Sequence, residues 1–200
     1  QSGGSNDIFW GWLDASGKVG ITTGSGDKAQ STGSINNSAW RHVVLSRDSI
    51  SGELKVYVDG ALNSSVVGTR GDITTAFSSI GRIEDTGGTP RYLTGHLDEM
   101  LLFDSVIGED NVLSIYNHQL AGNNWDGSSR DCDPTLIAEW RLEEPSWSGQ
   151  SDEVIDTSGN DHHGQLLYNA SPSSTLPAIS SSEGTCAYGS FSAGTIAVDG

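Results

Sequence analysis

The chain has 200 residues, enough for one large all-β domain or two small ones, and its 26 glycines and single Met point to short strands joined by tight turns, with no long helices. A net charge of -16, with 11 acids against 8 bases in residues 1–100 and 15 against 2 in residues 101–200, excludes nucleic acid and anionic lipid surfaces as partners, because no basic patch is there to release counterions. That acidity has two readings: a solvated face that keeps an extracellular protein soluble, or carboxylates gathered around Ca²⁺.

No run approaches the ~20 apolar residues of a membrane span, and Gln1-Ser2-Gly3-Gly4 is not a signal peptide. A soluble chain without membrane insertion is expected. It begins without Met, so it reads as a mature or excised piece.

In chain order, residues 7–13 and 18–22 are apolar runs separated by the turn sequence Asp14-Ala15-Ser16-Gly17, which predicts a hairpin. Residues 39–46 alternate Trp40, His42 and Val44 with Arg41, Val43 and Leu45, a strand with bulk on both faces. Leu54 to Val58 runs into Asp59-Gly60 and returns through Ala61 to Val66, the clearest hairpin in the sequence. Strands are predicted at 78–83 and, as one long element, at 93–104, with a Gly/Pro/Thr loop between them. Acids follow Gly108, and Val112, Ile115, Tyr116 and Leu120 have helical spacing, which predicts one short surface helix. A polar, turn-rich stretch follows, with a linker at 125–133. A strand at 135–142, a long loop containing residues 154–164, a short strand at 165–168 and two weak strands near 187–191 and 194–198 complete the chain. The fold class is all-β, an antiparallel β-sandwich.

Cys132 and Cys186, the only cysteines, lie in no metal- or redox-type cluster. A structural disulfide would close a loop worth about 4 kcal/mol in the chain-entropy model and would imply an oxidising compartment. The alternative is two buried free thiols.

Trp40 to Val44, Leu54 to Gly60, and Gly95-His96-Leu97-Asp98-Glu99-Met100-Leu101-Leu102-Phe103 with the helix after it resemble, in order and spacing, the later part of bacterial laminin-G-like modules of the concanavalin A-like lectin/glucanase superfamily. Ala138 to Leu142, Asp156 to Gly164 and Gly184 to Gly189 resemble the opening of such a module. This opening, with its two cysteines, is similar to the surface proteins of the mannose-sensitive haemagglutinin pilus locus. The resemblance implies a jelly-roll sandwich, a secreted or cell-surface bacterial location and a module that binds a glycan or another cell-surface ligand. Its two parts stand in inverted order: residues 1–124 match the end of a module and 134–200 the beginning. Either 134–200 completes 1–124 within one chain, the preferred reading, or it completes a neighbouring copy head to tail and builds a filament.

Glucanases of this fold use two carboxylates on one strand. No E-x-D-x-x-E run exists, and Asp98-Glu99 and Glu143-Glu144, adjacent on strands, would point to opposite faces, so no catalytic residues are expected. The resemblance places a structural Ca²⁺ at Asp156 and Asn160 of the Gly-rich loop together with Asp98; the alternative is an Asx turn at Asp156 and a hydrogen-bonded strand residue at Asp98. Trp10 and Trp12 share a strand face, and core packing is expected for at least half of the six tryptophans. Trp125 and Trp147, in loops, are expected to be exposed and to bind ligand.

Overall fold

A computed structural model of the chain describes residues 7–12, 15–74, 77–83, 91–125, 136–174, 190–192 and 195–198. The first three strands, β1 (Ile8–Trp12), β2 (Val19–Thr23) and β3 (Lys28–Gln30), form an antiparallel sheet in that order. β4 (Val43–Arg47), β5 (Glu53–Val58) and β6 (Ala61–Val67) form a second. The two sheets share a core because period-two alternation aims Val19 and Ile21 from one, and Leu54 and Val56 from the other, into a common cluster with Ala29. β5 is buried on its other face too, where Tyr57 packs with Ile107, Val112, Ile115 and Trp125.

The β5–β6 hairpin forms where expected. Asp59 and Gly60 both take positive φ, 52° and 77°, the two-residue turn whose twist matches paired strands. The strand expected from residue 39 begins only at Val43.

Downstream come β7 (Ser79–Ile80), β8 (Arg82–Ile83), β9 (Arg91–Tyr92), β10 (His96–Leu97) and β11 (Met100–Phe103). The single strand expected over 93–104 is therefore two. Glu99 adopts φ 51°, a left-handed conformation that no strand accommodates, and the chain turns a corner at Asp98-Glu99. The helix α1 (Glu109–Leu120) follows, with Glu109 and Asp110 at its positive end and Val112 and Ile115 turned into the core. It is not long and apolar enough to cross a membrane, and neither is any other helix among the described residues.

The remaining strands are β12 (Leu136–Trp140), β13 (Gly164–Leu167), β14 (Ser171–Ser173), β15 (Ser190–Ser192) and β16 (Thr195–Val198). They pair with the first segment inside the same chain: β12 with β11, β15 with β10, and β16 with β7. A core cluster spans the same seam, with Ile80 from the first segment against Ala138, Trp140, Leu142, Val154 and Ala170 from the second, flanked by Leu97, Met100 and Leu102. Cys132, Cys186 and the 126–135 stretch that holds most of the predicted linker lie outside the described residues.

Candidate functional site

The loop 156–164 folds back on β12. Asp156 bridges to Trp140, and its carboxylate accepts from Glu139 N (2.8 Å), Ser158 N (2.9 Å), the Ser158 hydroxyl (2.9 Å) and His162 N (3.0 Å). Burial pushes this carboxyl up, but those donors outweigh it and hold it below the usual range. The Asn160 amide donates to Leu136 O and Ile137 O, each at 2.9 Å, and the Trp140 indole donates to His162 O at 2.8 Å. Both oxygens of Asp156 are thus occupied by protein donors, two on each, and a cation would have to displace them. These residues do not fit a Ca²⁺ site. No three of His, Cys, Asp and Glu gather to hold a metal among the described residues. Asp156 matches the Asx-turn alternative.

Asp98 lies at the β10–β11 corner. It is not a strand residue, because it falls between β10 and β11; its carboxyl accepts from the Glu99 backbone N–H, while its Oδ1, like Glu99 Oε2, is buried without a partner. Burial, reinforced by Glu143 and opposed by the Glu99 backbone N–H, raises Asp98 to about 7. Burial together with the charges of Asp98, Glu139 and Glu143, opposed by Arg141, raises Glu99 to about 8. The Asn124 amide, oriented with its nitrogen 3.1 Å from Glu99 Oε1 and its oxygen 3.0 Å from Arg141, bridges acid and base. The expectation that Asp98 and Glu99 lie on opposite faces of a strand is corrected by this corner, where both carboxyls are partly withdrawn from water.

The tryptophan expectation also changes. Trp125 is only 5% exposed and packs edge-on against Phe103, with ring centroids 5.7 Å apart, because the chain leaving α1 folds under the helix and not into solvent. Trp147 is half-buried against the seam core, and its indole donates to Glu144 Oε2 at 3.3 Å. Trp10 is partly exposed, and the side chain of Trp12 lies outside what is described.

The prominent exposed aromatic surface is a tyrosine pair. Tyr92 is paired across the β8–β9 hairpin with Arg82, so both side chains stand on one face. Tyr168 leaves the end of β13 in a left-handed turn, φ 63°, that carries its ring to the same place. Tyr92 and Tyr168 are 43% and 57% exposed with ring centroids 5.4 Å apart, and the Arg82 guanidinium lies 4.8 Å from the Tyr168 centroid and 5.9 Å from that of Tyr92. Sequence reasoning missed this group because its members come from both segments. The only local signal was a tyrosine placed between two predicted strands.

An antiparallel β-sandwich with one helix and an exposed aromatic patch is compatible with a binding module. Residues 1–113, more than half of the chain, match a laminin-G-type family model described as the concanavalin A-like lectin/glucanases superfamily, and the chain belongs to that superfamily. No curated protein and no solved structure matches it.

Proposed function

We propose that this chain is a non-catalytic extracellular module that recognises carbohydrate on a surface, through Tyr92, Tyr168 and Arg82. The observation that carries the reading is the pair of exposed rings braced by one guanidinium. Aromatic faces offer apolar area to the C–H faces of sugar rings at low entropic cost, and phenol and guanidinium edges supply hydrogen bonds to hydroxyls. The charge of -16 favours neutral over polyanionic glycans. Membership of a lectin/glucanase superfamily agrees with this ligand class, and the absence of an E-x-D-x-x-E run from the sequence supports binding without turnover.

The other reading, a fibre subunit assembled by half-domain complementation between copies, gains no support from strand pairings that lie within one chain. The test is a glycan array followed by titration calorimetry. Tyr92→Ala and Tyr168→Ala are each expected to weaken binding by about tenfold or more, as removal of an aromatic anchor does. Silence across the array, or binding indifferent to both substitutions, would remove the reading.

A further inference from the structure

We infer that Tyr92 and Tyr168 form an oxidative cross-linking site, at which a dityrosine bond would join the two segments of the chain covalently. Three observations carry this. The pair is the tyrosine–tyrosine ring contact among the described residues, with centroids 5.4 Å apart at 62°, so ring edges already lie near van der Waals distance without any movement of the backbone. Both rings are substantially exposed, so an oxidant has access to them. The two residues also straddle the seam: Tyr92 sits on β9 of the first segment, and Tyr168 follows β13 of the second. By contrast Tyr57 is buried in the core and Tyr116 packs against His42, and neither touches another tyrosine ring.

The oxidant is hydrogen peroxide acting through a haem peroxidase. Each phenol gives up one electron and one proton and becomes a phenoxyl radical, and the peroxide, taking two of each, is reduced to two waters. The radicals combine by forming one carbon–carbon bond between ring positions ortho to the oxygens. The two ortho hydrogens then move to the oxygens and restore both phenols, so the chain loses two hydrogen atoms in all. The bond closes a long loop of chain, which constrains the unfolded state as a disulfide does.

The experiment treats the full chain, at low concentration, with a haem peroxidase and hydrogen peroxide. The expected result is dityrosine fluorescence, a mass lower by two hydrogen atoms, a band still running as one chain on a denaturing gel, a linked peptide pair containing Tyr92 and Tyr168, and a raised Tm. Tyr92→Phe and Tyr168→Phe, which keep the ring but lack the phenol, are each expected to abolish all of these. Cross-links mainly between chains, a linked pair involving other tyrosines, or no dityrosine in a folded sample would overturn the inference. The outcome is separable from the glycan reading, because dityrosine is read by fluorescence and mass on the chain without any glycan, whereas the array reads the unoxidised chain.

Discussion

Two acidic centres of opposite character decide the behaviour of single residues. Asp156 is an ionised carboxylate saturated by donors, and removing it leaves Glu139 N, Ser158 N and His162 N without their acceptor. Asp156→Ala is expected to cost about 2–4 kcal/mol in urea unfolding, and the same amount in calcium as in chelator, because the carboxylate anchors a loop and not an ion. A cost that grows with calcium would show that a metal is held there. Asp98 and Glu99 act in the opposite direction. Their ordinary values are 3.8 and 4.5, and the folded state raises them to about 7 and about 8, so between those limits the native chain binds more protons than the unfolded one. The stabilisation is fully present below pH 4 or so and is lost as the pH rises through 7 to 8. Partial solvent screening leaves a fall of about 2 kcal/mol between pH 5 and 8, read from denaturant midpoints. The double substitution Asp98→Asn, Glu99→Gln mimics the protonated pair and is expected to flatten that slope. An unchanged slope would place the titrating groups elsewhere.

Among the elements, the β5–β6 hairpin shows how local chemistry sets register. Gly60 sits at φ 77°, and a Cβ there would approach the Tyr116 ring at 2.7 Å. Gly60→Ala is therefore expected to destabilise by about 1–2 kcal/mol, through backbone strain and displacement of a ring on α1. A neutral outcome by thermal unfolding would mean that Tyr116 swings away freely. This hairpin was legible because Asp-Gly between alternating runs is a local instruction. The break between β10 and β11 was not, since Leu97, Met100 and Leu102 read as one apolar run. The corner at Glu99 exists because β10 pairs with β15 while β11 pairs with β12, two partners contributed by the distant second segment. Trp125 was misjudged for a related reason: its flanks are polar, but the burial of its ring depends on where α1 lands.

At the level of the whole molecule, the two segments meet in one fold. β12, β15 and β16 cover strands that the first segment alone would leave unpaired, and Ile80, Met100 and Leu102 would lose their packing partners without them. Residues 1–125 made alone are expected to aggregate or to lack a cooperative transition, whereas the 200-residue chain is expected to give a one-chain particle by multi-angle light scattering. A stable, monomeric 1–125 fragment would show that the seam is dispensable. Fibres from the full chain would show that copies exchange the second segment.

The sequence by itself determined the strand-rich class, the β5–β6 turn, the place of the helix and the strongly acidic net charge. Each of these follows from nearest-neighbour chemistry or from summed charge. Tertiary structure decided the rest: that Asp156 is saturated, that Asp98 and Glu99 are withdrawn from water, that Trp125 is core, and that Tyr92 meets Tyr168. Those properties depend on which groups approach from far along the chain, and desolvation, donor counts and ring contacts arise only once the two segments have closed on each other.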